Sequence, residues 1–269
     1  MLVDTHCHLD GRYFEAGSGP AIERARAAGV GALIGIGVGG LRAAEGAVEL
    51  AHRRGDILAT VGVHPHDAAS NTPELETALE RLVVDERVVG VGEIGLDYHY
   101  DHSPRQVQRE VFARYVAFAV RHKKPIVIHT RNARADTLEI LAAENAKAVG
   151  GVIHCFSEDR EFARAALELG FDLSFSGILT FKNAEPIRDA AAFAPEDRIL
   201  VETDSPFLAP VPLRGKPCEP AYIVHTAARL AELRKVSPAR IAETTTKNAC
   251  RRFGPALAAA VDLCQTVKA

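Results

Sequence analysis

Residues 1–10, MLVDTHCHLD, join an apolar start to two histidines separated by a single residue. Side chains alternate along an extended strand, so His6 and His8 face one side and Cys7 the other. Two imidazoles on one face make half of a metal site, and the rest of the chain must supply the other ligands. The apolar run itself recurs in GALIGIGV (31–38), ILATVGVH (57–64), VVGVGEIG (88–95), PIVIHT (125–130), VGGVIHCF (149–156), FDLSFSG (171–177) and RILVETDS (198–205), giving eight strand candidates. Between them lie segments of helical period, among them AIERARAAG (21–29), RAAEGAVELAHRRG (42–55), ELETALERLV (74–83) and QVQREVFARYVAFAVRHKK (106–124). Near-continuous apolar strands alternating with helices specify a parallel sheet covered on its outside. Eight such units in 269 residues match a closed (β/α)8 TIM barrel, with an open doubly wound sheet as the alternative.

No shift in composition marks a boundary, so residues 1–269 read as one domain. A long loop with four prolines, APVPLRGKPCEP (209–220), follows the eighth strand, and helices beyond it extend to PALAAAVDLCQTVKA (255–269), a terminal helix or a tail. A net charge of −3 argues against a counterion-releasing wrap of duplex nucleic acid, and 6% aromatics with no Trp against a long base-stacking platform. Five cysteines without a C-x-x-C pair argue against a disulfide framework and a zinc ribbon, which suits a reducing cytoplasm. The longest apolar stretch, GALIGIGVGG (31–40), is too short to span a bilayer, so no membrane partner is expected; a monomer is plausible.

Titratable residues collect at the C-terminal ends of the strand candidates. His6 and His8 end the first, His64 the third, Glu93 the fourth, His129 the fifth, His154 the sixth and Asp204 the eighth. In a barrel these ends converge on one mouth. Without His64, the remaining four histidines and two carboxylates exceed what one tetrahedral ion with an open position requires, so two divalent ions are expected, with a carboxylate bridging them. Glu93 takes that place because the fourth strand faces the first across the mouth. Such a pair activates a hydroxide and clamps the attacking and leaving oxygens of a displacement, so the reaction class is hydrolysis of an ester or amide.

The segments DTHCHLD (4–10), GVHPH (62–66), GEIGLDYHY (92–100), IVIHTRNA (126–133), HCFS (154–157), SFSGILTFKNA (174–184) and ETDSPFLAPVPLRGKPCEP (202–220) resemble, in order, the motifs of the TatD-type metal-dependent deoxyribonucleases of the amidohydrolase superfamily. The resemblance implies a TIM barrel and a phosphodiesterase that trims DNA, single-stranded or at 3′ ends, with two divalent ions (Mg²⁺, Mn²⁺ or Zn²⁺). It puts metal ligands at His6, His8, Glu93, His129, His154 and Asp204, with Glu93 bridging and Asp204 also accepting the proton of the attacking water. His64 is expected to contact a phosphate oxygen or orient the substrate, and Arg131 to pair with phosphate. Asp4 and Glu202 share the inward parity of His6 and Asp204 but lie deeper. They are expected to hold ligand histidines, or else to pair with a lysine or arginine inside the barrel.

Cys7 and Cys155 alternate away from the ligand face and read as small buried hydrophobes. The chain departs from the family pattern at Cys218, usually asparagine and here expected beside the mouth where a soft metal or oxidant could reach it, and at Asn132, often acidic. Basic residues expected near the rim are Arg131, Lys182, Arg214 and Lys216. Two alternatives keep the scaffold. One is a binuclear hydrolase of another ester or amide, such as a D-aminoacyl-tRNA or small phosphoester; the other is a non-catalytic binding protein, for which a complete ligand set has no purpose.

Overall fold

A computed structural model describes residues 1–14 and 17–266. Eight strands, β1 (Leu2–Cys7), β2 (Val30–Gly37), β3 (Ile57–Val61), β4 (Val88–Asp97), β5 (Ile126–Arg131), β6 (Gly151–Ile153), β7 (Phe171–Phe175) and β8 (Ile199–Val201), pair in parallel in chain order. They alternate with helices α1 (Gly19–Ala27), α2 (Leu41–Arg53), α3 (Pro73–Leu82), α4 (Arg105–His122), α5 (Arg134–Ala143), α6 (Arg160–Glu168), α7 (Glu185–Phe193) and α8 (Ile223–Arg234). Two further helices, α9 (Pro238–Phe253) and α10 (Pro255–Thr266), complete the described chain, so 255–266 is helix and 267–269 lie outside the described residues. Among the described residues no helix is long and apolar enough to cross a membrane.

The seam between β8 and β1 closes the barrel, which sets the open-sheet alternative aside. A parallel bridge joins Cys7 to Ser205, with the Asp204 N–H donating to the His6 carbonyl at 2.9 Å and the His8 N–H to the Ser205 carbonyl at 2.8 Å. Because this bridge runs past the end of β8, the same hydrogen bonds that close the barrel fix the backbone of the residues carrying His6, His8 and Asp204.

Alternating side chains divide into two apolar clusters. One lies between the strands and the surrounding helices and includes Leu33, Ile57, Val88, Ile126, Ile153, Phe171 and Ile199. The other contains Val3, Ile34, Leu58, Val89, Val127, Val152 and Leu200 together with Phe253, Leu257, Ala260 and Val261 of α9 and α10. The barrel interior is therefore apolar at its N-terminal end, where the last two helices plug it, and polar at the opposite mouth. Asp172, fully buried at the start of β7, ties these helices down by accepting from Arg198 at 2.5 Å, Arg251 at 2.9 Å and Arg252 at 2.8 Å.

Strict alternation fails in β1, and this corrects the expectation for Asp4. Val3 packs in the inner cluster but Cys7 in the outer one, and the register with β2 shifts between Asp4 and Cys7. His6 thus faces inward while Asp4 does not share its face. Asp4 reaches no imidazole, lysine or arginine; it stitches the seam, accepting from the Thr203 N–H at 2.9 Å, the Thr203 hydroxyl at 2.5 Å and the His6 N–H at 3.3 Å. Burial, only partly offset by these bonds, raises its carboxyl to about 8.

Candidate metal centre and active site

Glu93 stands at the middle of the mouth, and its two carboxylate oxygens face two different sets of side chains. Oε2 lies 3.4 Å from His6 Nε2 and 3.9 Å from His8 Nε2, and both nitrogens also face Asp204 Oδ1, at 3.6 and 3.5 Å. Oε1 lies 2.9 Å from His129 Nδ1, 3.0 Å from His154 Nε2 and 3.5 Å from His64 Nε2. The structure brings all six expected ligands, and His64, round one carboxylate.

The donor set fits divalent ions. His6 is completely buried, and neither of its ring nitrogens has a hydrogen-bond partner; His8 Nδ1 is also without one. A buried polar atom left unpaired is costly, and such atoms are rare. Donor separations of 3.4–3.9 Å suit the edges of a coordination shell with bonds of roughly 2.0–2.2 Å. Potential donor atoms of His6, His8 and Glu93 lie within 4.8 Å of one another, as do those of His6, His154 and Glu202 and those of His64, Glu93 and His129.

Local backbone explains how one strand delivers the central carboxylate. Ile94 and Leu96 point to the outer cluster, so Glu93, Gly95 and Asp97 face the interior. Gly95 has φ +144°, and a side-chain carbon there would meet the His129 carbonyl oxygen at 1.9 Å. The absence of a side chain lets β4 and β5 approach closely enough for Glu93 to reach His129.

Each histidine near Oε1 is oriented from behind. Glu202 accepts from His154 Nδ1 at 2.8 Å and from the Cys155 N–H at 2.7 Å, which turns the other ring nitrogen, Nε2, towards the centre. Asp97 does the same for His129, with Oδ2 3.1 Å from Nε2 while Nδ1 faces Glu93. The same Asp97 oxygen is 3.1 Å from His66 Nε2, and its other oxygen accepts from the N–H groups of His99 and Tyr100. Burial opposes charge on these groups, but the mutual contacts outweigh it. Glu93, Asp97 and Asp204 are held below the ordinary carboxylate range by the histidines, and His129 and His154 above the ordinary imidazole value by the carboxylates.

His64 differs from the others. Its Nδ1 accepts the His66 backbone N–H at 3.2 Å, so the neutral ring carries its proton on Nε2, the nitrogen turned towards the cavity. Burial lowers its pKa to about 4, more than Glu93 raises it, so at neutral pH it presents an N–H donor.

Around this centre opens a cavity of about 580 Å³, lined on its flanks by Arg12, Tyr13, Tyr100, Arg131 and Phe207. Arg131 is exposed at the rim with its guanidinium 4.8 Å from the centre of the Tyr100 ring. Lys182 and Arg214 line an adjoining groove, with the Arg214 guanidinium 3.6 Å from the centre of the Phe181 ring, while Lys216 is exposed on the long loop.

Two cysteine expectations are corrected. β6 ends at Ile153, and Cys155 takes a left-handed φ of +43°, so strand alternation no longer governs it; it lines the cavity with Sγ 3.2 Å from Ser176 Oγ. Cys218, by contrast, is wholly buried beneath the loop, where burial pushes its thiol well above the ordinary range, so neither a soft metal nor an oxidant has access. Asn132 is exposed with φ +55°, a conformation that asparagine tolerates better than most residues. The residues that strand-end reading passed over are Asp97, His66, Tyr13, Tyr100 and Phe207. For Asp97 a signal existed, since it stands at the same strand parity as Glu93 within GEIGLDYHY.

Known proteins resemble this chain along most of its length. The sequence profile of the family described as TatD related DNase matches residues 3–254. The uncharacterized metal-dependent hydrolase YabD of Bacillus subtilis is 42% identical over 94% of this chain and 99% of its own. A Citrobacter koseri protein named 3′-5′ ssDNA/RNA exonuclease TatD is 32% identical over 94% of this chain and 99% of its own. The crystal structure of YJJV, a TatD homologue from Escherichia coli K12, superposes with a TM-score of 0.88 at 28% identity, covering 94% of this chain and 97% of that one. The chain belongs to the TatD related DNase family and is a metal-dependent hydrolase.

Proposed function

We propose that this protein removes nucleotides from the 3′ ends of single-stranded DNA by hydrolysing phosphodiester bonds with two divalent ions. The division of Glu93 between two sets of side chains carries the reading, because one carboxylate with candidate ligands on each side can hold the paired ions that phosphoryl displacement uses. The name of the Citrobacter koseri relative supports the substrate class.

His6, His8, Asp204 and Glu93 Oε2 would hold one ion, and Glu93 Oε1, His129 and His154 the other. When bound, the pair supplies Lewis acidity, lowering the pKa of the attacking water and offsetting charge on the phosphorane-like transition state. Asp204, ionised and facing His6 and His8, is placed to accept the water proton as the nucleophile adds in line with the departing 3′ oxygen. His64 Nε2–H donates to a non-bridging phosphate oxygen, a task that suits a neutral ring better than a proton donor to the leaving group. Arg131, free to swing from Tyr100, pairs with the next phosphate.

The test is degradation of 3′-labelled and 5′-labelled single-stranded DNA by metal-stripped protein, with Mg²⁺, Mn²⁺ or Zn²⁺ restored and Glu93→Ala as control. Stepwise loss from the 3′ end that needs an ion and vanishes in the variant is expected. Intact DNA beside two bound ions per chain would refute the nuclease reading and move the search to aminoacyl-tRNA and small esters.

A further inference from the structure

Exposed aromatic rings are concentrated at the mouth. Of the eight large hydrophobic side chains exposed among the described residues, Tyr13, Tyr100 and Phe207 line the same cavity. Tyr13 (37% exposed) and Phe207 (44% exposed) touch each other edge to face, with centroids 5.5 Å apart and planes at 77°. Both also contact the His8 ring, at 5.7 and 5.8 Å, so the pair stands one ring away from the ion-binding donors.

Neither ring is part of the barrel core. Tyr13 sits on the loop after β1, backed by Arg12, whose guanidinium lies 5.3 Å from its centre. That arginine is in turn fixed by Asp10 through two contacts of 2.8 Å and by the Val38 carbonyl at 2.8 Å. Phe207 lies three residues after Asp204 in the loop beyond β8, and its N–H donates to the Asp204 carbonyl at 2.8 Å. Each ring is therefore positioned by the same short segment that positions a candidate ligand, and the two meet at 77° as an open apolar corner that is partly exposed to water. An unburied pair of rings anchored to ligand-bearing loops gains stability when a planar group covers it.

The geometry points to a nucleobase platform: the terminal base stacks on Phe207, the more exposed ring, with Tyr13 standing nearly perpendicular beside it, while its 5′ phosphate lies at the Glu93 centre. This rests on the exonuclease reading, since cleavage with a departing 3′ oxygen leaves that phosphate on the released nucleotide. The platform reads no base edges, because neither ring face carries a donor or acceptor, so any of the four bases fits. It holds a single base, consistent with a chain too poor in aromatics for a longer stack.

Isothermal titration of the Mn²⁺-loaded protein with thymidine 5′-monophosphate and with deoxyribose 5-phosphate isolates the base. The wild type is expected to prefer the nucleotide by roughly 10- to 100-fold. Phe207→Ala and Tyr13→Ala should bring that ratio towards unity, Phe207→Leu should do so although it stays apolar, and Phe207→Trp should retain the preference. A wild-type ratio near one, or a ratio unaltered in Phe207→Leu, overturns the platform. Strong preference beside uncut DNA would sink the exonuclease reading and leave the platform standing; cleaved DNA with a ratio near one would do the reverse.

Discussion

At the scale of single residues, the site is built from histidines whose free nitrogen is chosen by a second group. Glu202 and Asp97 each take one ring nitrogen of His154 and His129 and leave the other facing Glu93. The His66 N–H makes the opposite choice for His64, so that ring turns an N–H, and not a lone pair, towards the cavity. Removing such an orienting carboxylate typically weakens metal affinity 10- to 100-fold. Glu202→Gln and Asp97→Asn are each expected to lower affinity for the ion on the Oε1 side by about that factor. Competition titrations against a chelator, with metal content counted per chain, would expose the idea as wrong if both variants held two ions as tightly as the wild type. The convergence of the candidate ligands was legible in the sequence because each follows an apolar run at a position the barrel turns inward. Asp4 was misread because parity was carried across a register shift that no residue in MLVDTHCHLD announces. Asp97 was passed over although parity included it.

Elements were read more accurately than their ends. All eight strand candidates form strands, since fully buried strands must be apolar along their whole length and such runs are hard to hide. Their stops were less visible: β6 and β8 end before His154 and Asp204, which stand in loops held by hydrogen bonds to neighbouring strands. The terminal segment could not be decided from its pattern because what it covers is formed by eight distant strands. Phe253, at the end of α9, is 5% exposed and packs with Leu257 among the inner residues of the barrel floor. Truncating a buried Phe costs about 3–5 kcal/mol in lost transfer and a residual cavity. Phe253→Ala is therefore expected to lose about that much in urea unfolding. Because the plug lies at the opposite end from the mouth, ions should still bind below the unfolding transition. A loss under about 1 kcal/mol would mean that α9 and α10 lie on the barrel without filling it.

For the molecule as a whole, the candidate ion ligands come from the ends of β1, β4, β5, β6 and β8, so ion binding there would be coupled to barrel closure. The β1–β8 seam is the place where this matters most. β8 has only three residues, and its pairing to β1 is made by Asp204 and Ser205, beside the ligands, and by the Thr203 bonds to Asp4. Ions that grip His6 and His8 on one side of the seam and Asp204 on the other hold it shut. An ion that binds only the folded state adds RT ln(1 + [L]/Kd), about 2.7 kcal/mol at a hundredfold excess over Kd. In a chain of 269 residues each kcal/mol moves the midpoint by about 2–4 °C. Scanning calorimetry of the stripped protein is accordingly expected to show a midpoint about 5–11 °C below that of the saturated one. Hydrogen exchange should locate the difference at the β1 and β8 amides, those of His8 and Asp204 first. Equal midpoints, or a shift fully retained in Glu93→Gln, would mean that the ions sit elsewhere than between the two sets of ligands, and that the seam closes without their help.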